Sequence, residues 1–276
     1  PDPAYVSYSP LVSMSDGVAV PVECREEDNF VIKPDLLEKA ITEKTKAIIL
    51  TYPNNPTGAI MSKEELEALA EVIIRHDLLV ITDEIYAELT YGKKHVSIAS
   101  LPGMKERTVY ISGFSKAFAM TGWRMGYVCA PAEIDEAMFK IHQYGIMCAP
   151  ITSQYAAIEA LKDGFSDGFA TVEEMRDSYD MRRKFVLHSL REIGLTCFEP
   201  QGAFYAFPSV KKTGMDAETF ANELLKRQKV AVVPGNAFGS FGENNVRLSY
   251  ATSMASLSEA FDRMAAFLNA IKGEKK

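Results

Sequence analysis

The sequence is poor in the residues that hold metals and cross-links. It has four histidines and four cysteines in 276 residues. His76, His95, His142 and His188 are scattered without ligand spacing, which argues against a metal centre. Cys24, Cys129, Cys148 and Cys197 lie far apart and form no CxxC pair. They read as buried free thiols in a reducing, cytoplasmic compartment rather than as a disulfide framework. No apolar run approaches the roughly 18 residues of a membrane span, and no signal-peptide pattern opens the chain. Positive charge is not in excess: 30 Lys and Arg face 37 Asp and Glu, a net charge of −7. With no basic stripe, this excludes a general nucleic-acid binder. There is no internal repeat and no low-complexity tract.

What is present is a globular composition, 47% hydrophobic and 24% charged. The length allows a large core and one or two domains. Pro1-Asp2-Pro3-Ala4-Tyr5 reads as an extended Pro-rich opening. Residues 46–51, 78–82, 108–111 and 126–130 read as strands. A helix lies between the first two, opened by a Ser62–Glu65 capping box, with Leu66, Leu69, Ala70 and Ile73 as its apolar stripe. A crossover of that length suits parallel pairing. Helices are expected over 133–143 and 151–162, then a long charged one over 169–193 that bridges two domains. Beyond it, 203–207, 230–233 and 245–249 look like strands, with a helix over 217–227. A second capping box, Ser256 with Glu259, is expected to open a terminal helix to about 271, and residues 272–276 to form a frayed polar tail. The expected fold class is α/β: a three-layer α/β/α domain with a mostly parallel sheet, then a smaller α/β domain.

Chemistry concentrates in a few places. Lys116 follows an apolar run and small residues in Ser112-Gly113-Phe114-Ser115-Lys116, a setting in which an amine can condense with an aldehyde. Arg124 lies a short loop away, and its planar fork can hold a phosphate, with Ser112 or Ser115 adding a hydroxyl. Asp83 ends an apolar strand, where a carboxylate either caps a helix or faces a ligand. Asn54-Asn55-Pro56-Thr57-Gly58 is a turn by composition. Arg247 sits in a strand between apolar neighbours.

Together, Asn55-Pro56-Thr57-Gly58, Asp83-Glu84-Ile85-Tyr86, the run from Ser112 through Lys116 to Thr121-Gly122-Trp123-Arg124, and Arg247 resemble the class I/II aminotransferases, fold-type I enzymes that use pyridoxal 5'-phosphate (PLP). The resemblance runs over essentially the whole chain. Against that family the chain looks N-terminally truncated: an N-terminal arm, the first part of the large domain and a Gly-rich phosphate loop have no counterpart. It implies a PLP-binding large domain over 1–175 and a C-terminal small domain over 176–276. It implies that Lys116 holds PLP as an aldimine and shuttles the α-proton. Asp83 would face the ring nitrogen, and Tyr86 and Asn55 the phenolic oxygen, with an Asn55–Pro56 peptide that is often cis in the family. Arg124 and a serine, Ser115 or Ser112, would bind the phosphate, although Gly113 stands three before the lysine, in the stretch where the family usually has a phosphate-binding hydroxyl. Tyr5 would cover the ring, with Tyr8 competing for that role. Arg247 would grip the substrate α-carboxylate beside Asn55, with Phe204 lining the pocket. The implied reaction moves an amino group from an amino acid to a 2-oxo acid, in a homodimer. The second arginine that dicarboxylate enzymes of the family use soon after the lysine region has no counterpart between Lys140 and Lys162. Two alternatives use the same scaffold: a PLP-dependent C–S β-lyase and a non-catalytic PLP-responsive regulatory domain.

Overall fold

The computed structural model describes residues 1–274. In chain order the elements are α1 (Tyr8–Met14), α2 (Pro34–Ala40), β1 (Ala47–Thr51), α3 (Lys63–Arg75), β2 (Leu79–Asp83), β3 (Thr108–Gly113), β4 (Gly126–Cys129), α4 (Ala132–Gly145), α5 (Ile151–Asp167) and α6 (Ala170–Glu192). They continue with β5 (Tyr205–Ala206), α7 (Ala217–Gln228), β6 (Val233–Pro234), β7 (Val246–Ser249) and α8 (Met254–Glu274). The chain forms two compact units. One comprises residues 34–53 and 60–177; the other comprises 1–33, 54–59 and 178–276. The boundary between 177 and 178 falls inside α6. These units differ in membership from the division at 175 implied by the resemblance. The opening segment groups with the C-terminal region because the Ala4 amide donates to Phe238 O (2.9 Å) and the Asp2 carboxylate accepts from the Ser240 and Phe241 amides.

The unit containing the first four strands is built on a sheet of order β1-β2-β3-β4. β1, β2 and β3 run parallel, and β4 closes the edge antiparallel to β3. The crossover from β1 to β2 is α3, whose start is set by the expected capping box. Ser62 Oγ accepts from the Glu65 amide (3.2 Å) and Glu65 Oε2 accepts from the Ser62 amide (2.8 Å). The stripe of α3 is buried, and Leu69 and Ile73 are fully enclosed. Each such side chain contributes about 1.5–3 kcal/mol by leaving water. Val80, the second residue of β2, is likewise enclosed. Parallel strands with this alignment bring the C-terminal ends of β2 and β3 side by side, with Asp83 opposite Ile111.

The other unit carries a small antiparallel sheet of order β5-β7-β6. Phe207, Phe220, Phe267 and Tyr250 form its enclosed core. Asp216 caps α7 by accepting from the Thr219 amide at 2.8 Å.

Several expectations are corrected. The strands expected over 203–207 and 230–233 shrink to β5 and β6, because the ladder to β7 covers only those residues. The cap of α8 is Ser253, not Ser256: Ser253 Oγ accepts from the Ser256 amide (3.1 Å), while Glu259 pairs with Arg263 inside the helix. Helix α8 runs on to Glu274, so the expected tail is helical there, and residues 275–276 lie outside the described residues. The cis peptides precede Pro3 and Pro53, not Pro56. Cys24 is buried, but Cys129 and Cys148 are exposed, because β4 is a sheet edge and residue 148 lies in the open loop after α4. Burial pushes the Cys197 thiol up to about 12.

Candidate active site

The residues expected to carry the chemistry divide between the two units, and each set is described by itself. Lys116, Ser115, Arg124, Asp83 and Tyr86 belong to the unit with the four-stranded sheet; Tyr5, Asn55, Phe204 and Arg247 belong to the other.

Lys116 stands in a tight turn directly after β3. The turn is closed by the Ala119 amide on Lys116 O (3.2 Å) and the Met120 amide on Phe114 O (3.1 Å). Phe114 and Met120 are buried with Ala157 of α5, and Phe118 packs against them, so the turn is anchored from below. Its neighbour is fixed by a pair of glycines. Gly113 faces Gly126 across the β3–β4 ladder. A Cβ on Gly113 would lie 2.7 Å from Gly126 Cα and 2.9 Å from Met125 O, closer than side chains tolerate. The ladder continues with the Phe114 amide on Met125 O (3.2 Å). This close approach sets the lysine turn beside Arg124, which is exposed, has φ 56°, and donates from Nη1 to Thr121 O at 2.9 Å. Thr121 Oγ1 in turn donates to Ser115 O at 2.7 Å.

At the end of β2, Asp83 Oδ1 accepts from the Ile85 amide (3.1 Å), which turns the chain after the strand. Tyr86, three positions after Asp83, is buried, and Lys116 Nζ lies 5.7 Å from the centre of its ring. The strand ends thus present an amine, a carboxylate, a phenol, a hydroxyl and a guanidinium. PLP offers an aldehyde, a basic ring nitrogen, a phenolic oxygen and a phosphate, so the donor set fits that cofactor. Ser112, the other candidate hydroxyl, points back to Glu84 O at 3.5 Å. Among the described residues, no group of three His, Cys, Asp or Glu is placed to hold a metal, and no helix is long and apolar enough to cross a membrane.

In the other unit, residues 54–59 form a buried turn. Asn54 Oδ1 accepts from the Thr57 amide (3.1 Å) and Thr57 Oγ1 (2.9 Å). Gly58 follows at φ 73° with Pro200 against the place a Cβ would take, so no other residue fits. The Gln201 and Gly202 amides both donate to Gly58 O. The turn presents Asn55, whose Oδ1 accepts from Arg247 Nη1 at 2.9 Å. The Arg247 guanidinium lies 4.5 Å from the Tyr205 ring centre and 4.7 Å from that of Phe238. Its Nε is buried and has no hydrogen-bond partner among the described residues. The guanidinium is thus half-buried, held against two ring faces, with one enclosed donor still unmet. Phe204 packs beside Tyr205 (4.8 Å) and Tyr179 (5.4 Å). Tyr5 is 43% exposed and meets Tyr8 edge-on at 5.6 Å. Tyr205 and Phe238 were not legible as site residues, because an aromatic within a strand or loop signals only core until its arginine is located.

The class defined by this fold and donor set is the fold-type I PLP-dependent transferase. Residues 1–264 match the model of the family described as aminotransferase class I and II, and the chain belongs to it. It is 51% identical over 265 residues to an aspartate aminotransferase of Pyrococcus abyssi, spanning 96% of this chain and 68% of that protein. It is 48% identical to aromatic-amino-acid aminotransferase 2 of Thermococcus litoralis, with the same coverage. The crystal structure of an aromatic aminotransferase from Pyrococcus horikoshii superimposes with a TM-score of 0.96 at 49% identity, covering 99% of this chain and 73% of that one. The protein is a PLP-dependent aminotransferase.

Proposed function

We propose that the protein moves an amino group from an amino acid to a 2-oxo acid, with Lys116 as both the anchor of the cofactor and the carrier of the α-proton. When bound, PLP supplies an aldehyde for covalent attachment and a ring that takes up the electron pair left by that proton. Lys116 would act in its neutral form: its amine would hold the cofactor's aldehyde carbon with loss of water and, once displaced from it by the incoming amino group, would accept the α-proton. Asp83 holds a proton on the ring nitrogen through its carboxylate, and Tyr86 donates its hydroxyl to the phenolic oxygen. Arg124 and Ser115 hold the phosphate by charge-assisted and neutral hydrogen bonds. Tyr5 covers the ring face and excludes water. Arg247 orients the substrate through its α-carboxylate. Asn55 serves on two sides: its Oδ1 accepts from Arg247, which leaves the Nδ2 end to donate to the cofactor. Phe204 borders the substrate.

The buried Nε of Arg247, which has no hydrogen-bond partner among the described residues, supports this reading, because a substrate carboxylate would satisfy it. The test is amino-donor and oxo-acceptor profiling with added PLP. Transfer to a second oxo acid is expected; pyruvate, ammonia and a thiol from a cysteine conjugate, without transfer, would overturn it in favour of a lyase.

The protein is further proposed to be a cytoplasmic homodimer with a PLP-binding domain over 1–175 and a small domain over 176–276. Apolar side chains exposed on α4 and α5, such as Ile141, Tyr144 and Phe165, support association. The free cysteines support a reducing compartment. Light scattering that finds a monomer, thiol titration that finds disulfides, or unfolding in a single transition by every probe would each remove its part of this picture.

A further inference from the structure

We propose that Glu84 is a positioning residue that fixes Asp83 and Tyr86 for the cofactor, an inference that rests on the functional reading above. Residue 84 continues the face of β2 on which Val80 and Thr82 are buried, a place that ordinarily takes an apolar side chain. Glu84 is 2% exposed. A carboxyl group buried there is costly unless both its oxygens are bonded, and they are. Oε1 accepts from Thr82 Oγ1 (3.1 Å) and Ser97 Oγ (2.9 Å), and Oε2 meets His95 Nε2 at 2.5 Å. The backbone is pinned as well. The Glu84 amide donates to Ile111 O (2.9 Å), and its carbonyl accepts from the Ala87 amide (2.9 Å) and from Ser112 Oγ (3.5 Å).

These bonds converge on one point from three directions. Thr82 belongs to the strand that ends in Asp83. Ser112 belongs to the strand that leads to Lys116. His95 and Ser97 belong to the segment that returns after Tyr86, and Ser97 Oγ also accepts from the Ala99 amide at 3.3 Å. Strand alternation puts Asp83 on the face opposite Thr82 and Glu84. Anchoring Glu84 on one face therefore stops Asp83 from rolling on the other, and it fixes the turn that carries Tyr86. Glu84 does not itself meet substrate. The cavity beside it is a small one walled by Leu50, Leu66 and Ile98, and it has no room for an amino acid. An apolar side chain of similar volume would fill the site without the cost of burying a carboxyl group, so stability alone does not account for a glutamate here.

The experiment compares Glu84→Gln, Glu84→Met and Ser97→Ala with the unaltered protein, in two arms. The first arm uses cofactor-free protein and follows amide hydrogen exchange at residues 85–87. Faster exchange there than in α3 is expected in all three variants, and unchanged exchange overturns the proposal whether or not PLP binds. The second arm titrates PLP and follows the visible band of the bound cofactor together with steady-state kinetics. For Glu84→Gln, a fall of about tenfold in PLP affinity and in kcat, a displaced pH midpoint of the band, and a substrate KM within about twofold are expected. Ser97→Ala, the gentler change, should move the same readings by a few-fold and decides the case if the Glu84 variants do not fold. Glu84→Met with unaltered affinity, band and kcat overturns the proposal. If the unaltered protein takes up no PLP, the functional reading fails while the first arm still judges Glu84.

Discussion

Lys116→Ala should remove the visible absorbance of the bound cofactor and lower the transamination rate by about a thousandfold or more, the combined loss of nucleophile and proton carrier. Borohydride treatment of the unaltered holoenzyme should fix the cofactor to the peptide containing Lys116, and mass spectrometry of Lys116→Ala should find no such adduct. The expectation follows from the local fold. The lysine turn is closed by its own amides, seated on Phe114 and Met120, and held at the Gly113–Gly126 contact, while Nζ lies near Tyr86. Removing the amine leaves that frame standing, so the thermal midpoint of the cofactor-free protein should move little. An adduct that persists on another lysine would take Lys116 out of its role.

Arg247→Ala should raise the substrate KM by about 10- to 150-fold with a smaller change in kcat, which corresponds to the roughly 1.5–3 kcal/mol of a charge-assisted bond. Arg247→Lys should recover only part of the loss. An ammonium keeps the charge, but it lacks the planar group that lies over the Tyr205 and Phe238 rings and cannot give two parallel bonds to a carboxylate. Amines without an α-carboxylate should be turned over no worse by Arg247→Ala than by the unaltered protein. Unchanged kinetics with amino acids would assign the carboxylate to another residue.

The parts of this fold that could be read from the chain are those whose cause is local. The capping box of α3, its buried stripe and the flanking strands depend on side chains within a turn or two of each other, and all of them stand. Where the cause lies far along the chain, reading fails. Val230, Ala231 and Val232 have strand-like side chains, but the ladder to β7 reaches only Val233 and Pro234. At α8 the expected cap, Ser256, lies inside the helix, and Ser253, just before its first residue, takes the role. Helix α1 and helix α2 escaped because they are single short elements without a repeated stripe. In the candidate site, Lys116, Asp83, Asn55 and Arg247 were visible as motif residues, whereas Tyr205, Phe238 and Glu84 were not. What distinguishes those three is a contact with a residue distant in sequence: a cation for the aromatics, and a histidine and a serine on a returning segment for the glutamate.

The asparagine that holds Arg247 is followed by Pro56. Spontaneous deamidation proceeds by attack of the next residue's backbone nitrogen on the side-chain amide, and proline has no N–H with which to close that ring. Asn55 is therefore shielded from the slow chemical ageing that converts asparagine to aspartate. Such a conversion would set a permanent negative charge against the guanidinium and compete with every incoming carboxylate.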